Sequence, residues 1–143
     1  MIDVLIPMIE YYNIKNQIAI SSFNHEYHNE LRRRGLDQEY EFGFLYNHDG
    51  EDENYDWTKP GTINMYSNCV NEEKVKLAHD HGKAVVVWFW KDGEETEEKF
   101  EKLINYGVDV ICTNFPDIAI NARKKVYSEC LMDLKNVHSN NVN

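Results

Sequence analysis

Residues 84–90 read Ala84-Val85-Val86-Val87-Trp88-Phe89-Trp90, the longest apolar run in the chain. A strand with one wet face would alternate apolar and polar residues. This run is apolar at both parities, as expected of a parallel strand covered by helices. Its flanks agree. Upstream, Asn71 is placed to cap a helix that carries Glu72 and Glu73 in its first turn, where carboxylates favour the helix dipole, and that stops at Gly82. Downstream, Asp92 and Glu95 resemble a capping box for a second helix with Phe100, Leu103 and Ile104 as its core stripe and Gly107 as its end. Residues 108–112 then form a strand. Pro116 suits the first turn of a last helix with Ile118, Ala122 and Val126 at fourfold spacing.

The same alternation runs toward the N-terminus. Val4, Leu5, Met8, Ile9 and Tyr12 share a face at helical spacing. Ile18-Ala19-Ile20 reads as a short buried strand that closes on Ser21-Ser22-Phe23. Asn24 can cap the helix that follows, which runs to Arg34 and stops at Gly35. Residues 42–46 and 62–66 supply two more strands, the second weaker. Between them the acidic segment 49–56 reads as an exposed loop without the full calcium-loop pattern. Five strands, each followed by a helix or long connection, specify an α/β protein with a parallel sheet. Periodicity leaves two architectures open, a five-stranded doubly wound sheet and five consecutive units of a (β/α)₈ barrel.

Composition narrows the partners. With 143 residues, one domain is expected: residues 1–135 as the folded part and 136–143 as a polar, frayed tail. The net charge of −10 argues against nucleic acid or an anionic membrane surface. Three cysteines, Cys69, Cys112 and Cys130, form no disulfide framework. No apolar stretch is long enough to span a bilayer. Met1 leads into Ile2-Asp3-Val4 without the basic opening of a signal peptide, which favours a cytoplasmic location, although truncation also explains it.

In both architectures functional groups gather at the C-terminal ends of the strands. Those positions are Ser21, Ser22 and Phe23; Tyr46 and Asn47; Tyr66, Ser67 and Asn68; Trp88, Phe89, Trp90 and Lys91; and Thr113 and Asn114. This rim is aromatic and rich in hydroxyls. It suits a small polar ligand with an apolar edge, unless Phe23 and Trp88 are core residues and the hydroxyls are caps. No strand end supplies an Asp or Glu, so no metal centre is expected; Asp109 stands near the start of its strand. Among the histidines, His25 lies nearest the functional face. No Gly-rich phosphate loop is present.

Three segments carry a family resemblance. Ile20-Ser21-Ser22-Phe23-Asn24-His25-Glu26 resembles the strand-to-helix segment of glycerophosphodiester phosphodiesterases. Ala78-His79, Gly82-Lys83 and Val86-Val87-Trp88 are similar to a second motif of that family. Residues 107–117, from Gly107-Val108-Asp109 to Phe115-Pro116-Asp117, resemble its closing motif. Order and spacing match over roughly residues 2–125, and the resemblance selects the barrel: about five consecutive β/α units corresponding to the C-terminal part of a (β/α)₈ TIM barrel.

The resemblance also implies a chemistry. Members carry a His-Arg motif, a Glu-x-Asp and a Glu-x-Lys on their first three strands, with a further His. The carboxylates hold a divalent cation, Mg or Ca, and the histidines act as acid and base on the phosphodiester. The products are an alcohol and glycerol phosphate. None of these motifs stands on a strand of this chain, so no catalytic or metal-binding residue carries over, and the chain by itself is expected to bind no cofactor. What carries over is the pocket wall, Ser22, Phe23 and Trp88. Three positions depart from the family pattern: Phe89 for a Thr, Lys91 for an Asn, and Asn114 for the Asp of the closing motif. The expected reading is a fragment of the phosphodiesterase barrel; the alternative is a non-catalytic half barrel that binds or oligomerises. Either would expose two sheet edges and an apolar inner face, which a second copy or a partner would cover.

Overall fold

The computed structural model describes residues 1–46, 61–91 and 93–140. Its helices are α1 (Ile2–Tyr12), α2 (Glu26–Arg33), α3 (Glu72–Asp80), α4 (Glu97–Asn105) and α5 (Pro116–Asn140). Its strands are β1 (Ile20–Ser22), β2 (Phe42–Tyr46), β3 (Thr62–Tyr66), β4 (Val85–Trp88) and β5 (Val110–Ile111). The strands form one sheet in the order β1-β2-β3-β4-β5, and every pairing is parallel. Sequential order throughout is the arrangement of a singly wound barrel; a doubly wound sheet would reverse direction part-way.

The register gives the sheet two unlike faces. Phe42, Phe44, Ile63, Met65, Val85 and Val87 share one face and are all nearly inaccessible. They form one core with Ile2, Ile6 and Ile9 of α1, Leu31 of α2, Val75 and Ala78 of α3, and Leu103 of α4. Burying each large side chain contributes roughly 1.5–3 kcal/mol against the entropy of ordering the chain. The opposite face carries Ser21, Gly43, Leu45, Thr62, Asn64, Tyr66, Val86 and Trp88. It mixes polar and apolar side chains.

Close packing constrains two glycines. A Cβ on Gly43 would stand 2.4 Å from the Asn64 amide nitrogen, so Asn64 lies directly over it. Gly61 has φ 111°, and a Cβ there would stand 1.9 Å from the carbonyl oxygen of Phe42. The approach to β3 thus needs glycine for both conformation and space.

Several expectations change. In α1 the buried face is Ile2, Ile6 and Ile9, whereas Val4, Met8 and Tyr12 are exposed. The helix is apolar nearly all round, so spacing alone does not say which stripe meets the sheet. The first strand lies at Ile20–Ser22, two residues later than 18–20. Helix α5 runs Pro116–Asn140, and residues 141–143 lie outside the described residues. The acidic segment 49–56 and Asn47 also lie outside them. No helix among the described residues is long and apolar enough to cross a membrane.

Candidate functional site

The C-terminal strand ends converge as the parallel sheet requires. Trp88, last residue of β4, is half-buried on the open face, and its indole N–H donates to the Asn64 carbonyl at 3.4 Å. Three rings surround it. Phe23, just beyond β1, packs edge-on with ring centroids 5.3 Å apart. Tyr66, at the end of β3, is tilted at 5.4 Å. Trp90 is T-shaped at 5.9 Å. Phe23 and Trp90 are 49% and 68% exposed, which leaves much aromatic surface open at the rim. Of the three residues expected to wall the pocket, Phe23 and Trp88 meet. The Ser22 hydroxyl instead accepts from the Asn24 N–H at 3.0 Å, a local turn contact.

Sequence reasoning missed two carboxylates. Glu94 and Glu95 lie in the β4–α4 connection and reach across the rim in opposite directions. Glu94 accepts from the Tyr66 hydroxyl, from the Asn68 amide at 2.8 Å and from the Lys91 N–H at 3.3 Å. Glu95 accepts from the Thr113 hydroxyl, the Asn114 N–H at 2.8 Å and the Asn114 side-chain amide at 2.9 Å. One connection therefore ties the ends of β3, β4 and β5 together. The rim does hold acidic groups, supplied by a loop where strand ends alone were considered. The reason is the helix start. Asp92, expected to cap the helix with Glu95, lies outside the described residues; α4 begins at Glu97 with Thr96 as its cap, the Thr96 hydroxyl accepting from the Lys99 N–H at 3.2 Å. A Thr followed by two glutamates is as good a start signal as the Asp-led one, and choosing it would have left Glu94 and Glu95 outside the helix.

Electrostatics follow from these contacts. Burial pushes the Glu94 carboxyl up, but the bonds from Tyr66, Lys91 and Asn68 together hold it below the ordinary carboxylate range. Glu95 is likewise raised by burial and held lower overall by Thr113 and Asn114. The Glu94 carboxylate in turn pushes the Tyr66 phenol up. Asn114 now has a physical account: its amide donates to Glu95, where an Asp would oppose one carboxylate with another.

The motif residues at the other end of the sheet are architectural. Asp109 Oδ2 accepts from the Val85 N–H at 2.7 Å and lies 2.9 Å from His79 Nε2, joining α3, β4 and the approach to β5. Ala78 is fully buried and Gly82 terminates α3 with φ 67°. His25 is half-buried, with Nε2 3.1 Å from the Leu45 carbonyl and its ring against Phe44 and Tyr46; its contacts are with β2, away from the Trp88 cluster.

Glu94 and Glu95 do not make a metal centre. Among the described residues, no three His, Cys, Asp or Glu side chains converge on one point, and both carboxylates are engaged by separate sets of neutral donors. The donor set does not fit a hard divalent cation, which needs several converging oxygens.

Comparison with known proteins places this geometry. Residues 2–118 match the pattern of the Glycerophosphoryl diester phosphodiesterase family. Two curated relatives from Loxosceles hirsuta, the dermonecrotic toxins LhSicTox-alphaVI1i and LhSicTox-alphaVI1ii, are each 27% identical over 128 residues, or 83% of this chain and 46% of the relative. The chain thus spans about half the length of the curated relatives it matches. Among solved structures, a candidate glycerophosphodiester phosphodiesterase from Galdieria sulphuraria superposes with a TM-score of 0.69 at 24% identity, covering 82% of this chain and 48% of that one. A candidate glycerophosphoryl diester phosphodiesterase from Silicibacter pomeroyi DSS-3 gives 0.71 at 20% identity, covering 85% and 43%.

Proposed function

This chain belongs to the glycerophosphoryl diester phosphodiesterase family, and from that premise we propose that it forms one wall of a glycerophosphodiester pocket in a barrel of that fold. The observation that carries this reading is the Phe23–Trp88 contact at the C-terminal rim. Two resemblance motifs more than sixty residues apart in sequence deliver their aromatic residues to one point, at the end of the sheet where barrels of this kind bind ligands. Phe23 and Trp88 supply the apolar edge of the pocket, and Ser22 holds the turn that presents Phe23. The reaction is hydrolysis of a phosphodiester to an alcohol and glycerol phosphate. On this reading the divalent cation and the proton-transfer groups belong to the rest of the barrel, and the chain by itself is expected to be inactive.

The sheet edges β1 and β5 are unpaired on their outer sides among the described residues. A second copy or a partner chain covers them, because open parallel edges with adjoining apolar surface favour association.

A phosphodiesterase assay on a size-exclusion fraction of known mass tests the reading, with glycerophosphocholine as substrate and with or without Mg²⁺ or Ca²⁺. The expected result is no turnover above buffer under any condition. Metal-dependent turnover by this chain, lost on chelation, would show that a catalytic set other than the family's operates here.

A further inference from the structure

Two apolar stripes face solvent on helices at opposite ends of the sheet. On α5, Ile120, Tyr127 and Leu131 are exposed and share one face of the helix. Ile120 and Tyr127 border the groove beside β5, together with Val108 and Ile111. On α1, Val4, Met8 and Tyr11 are each more than half exposed and stand at spacings of four and three. Val4 to Tyr11 and Ile120 to Tyr127 each cover two helical turns, about 10 Å of axis. Their charges are opposite. Arg123 and Lys124 flank the α5 stripe; Lys125 pairs with Glu101 at 2.6 Å, but Arg123 and Lys124 meet no carboxylate among the described residues. Helix α1 carries Asp3 and Glu10 and no basic residue. A second α5 in the groove would set Arg123 and Lys124 of both copies on one apolar seam. Two α1 helices face to face would gather four carboxylates. Pairing α1 with α5 avoids both repulsions.

We propose that α1 of one copy of this chain docks in the β5–α5 groove of the next, with Val4, Met8 and Tyr11 packing against Ile120 and Tyr127. The mode is that of an apolar helix stripe in a groove, with anchors one and two turns apart. A helix laid there also shields the outer edge of β5, which is unpaired among the described residues. The contact is heterologous: each copy inserts one surface and offers another, so copies join head to tail. It rests on the reading above that a second copy or a partner covers the open ends, and it names the copy and the surfaces that meet.

The test is sedimentation of the full chain at micromolar concentration, alone and as mixed variants. Met8→Glu spoils the inserted stripe, and Tyr127→Glu spoils the groove. Both positions are exposed, so the far-UV circular dichroism is expected to stay unchanged. Tyr11→Glu and Ile120→Glu form a second pair should either variant fold poorly. The parent chain is expected to run heavier than the 16.9 kDa monomer. Each variant alone is expected to self-associate about thirtyfold more weakly, the effect of losing one anchoring side chain. Mixed in equal amounts, the two recover one contact: Tyr127→Glu still offers an intact α1 and Met8→Glu an intact groove. The mixture is therefore expected to form one-to-one pairs and stop there. A monomeric parent overturns the contact together with the association reading. A heavy parent whose variants stay heavy, or whose mixed variants do not pair, overturns the head-to-tail contact and leaves the association reading standing.

Discussion

Asp109 shows how an acidic residue of a family motif can be structural. Its Oδ2 holds the first N–H of β4 and lies against His79, so Asp109→Ala leaves a strand-initiating N–H without its acceptor. The expected cost is about 1–3 kcal/mol, readable in urea unfolding, and Asp109→Asn recovers part of it. Asn114 is the opposite case, a departure from the family motif that the structure explains. Asn114→Asp sets a second carboxylate against Glu95. The variant should lose about 1–2 kcal/mol at pH 7, and the loss should shrink as the solution is acidified and one carboxyl of the pair takes a proton. A loss independent of pH would mean that charge is not the cause. None of these pairings was legible in the residues. Asp109 was placed correctly near the start of its strand, but its partners lie 24 and 30 positions away.

Among the elements, helix boundaries carry most of the local information. Asn71 caps α3 as its sequence position predicts, its side chain accepting from the Lys74 N–H at 2.8 Å. Asn71→Ala is expected to cost about 1 kcal/mol, measured by denaturation. Thr96→Ala removes the equivalent bond from α4, but also loosens the connection that carries Glu94 and Glu95. It should therefore broaden the Trp88 and Trp90 NMR signals, an effect absent from Asn71→Ala. The same connection sets an acid response. Both carboxyls are held below their ordinary range in the folded chain, so the stability they add is fully present above the unfolded value near 4.5 and is lost as pH falls through the lower folded values. Unfolding free energy should decline on acidification below that point, and the decline should flatten in Glu94→Gln and Glu95→Gln. A strand-level prediction follows from Gly61. Gly61→Ala puts a methyl group into the Phe42 carbonyl and should lower stability by more than the roughly 1 kcal/mol of an ordinary glycine replacement.

At the level of the whole molecule, the described sheet is an arc with two ends. Along its β5 end runs a groove of about 570 Å³ lined in part by Val108, Ile111, Ile120 and Tyr127. At the other end α1 presents Val4, Met8, Tyr11 and Tyr12 to solvent. Such surfaces predict a particle heavier than the 16.9 kDa monomer in sedimentation at micromolar concentration. A clean monomer would show that the edges tolerate water.

Five strands, their parallel direction and the alternation of helices between them followed from periodicity, caps and a continuous apolar run. Each is dictated by neighbours within a few residues. Which stripe of an all-round apolar helix faces the sheet, where α4 begins among competing caps, and that two loop carboxylates would lace three strand ends together did not follow. Those are settled between residues far apart in the chain, where the packed sheet, and no local preference, decides which side chain finds which partner.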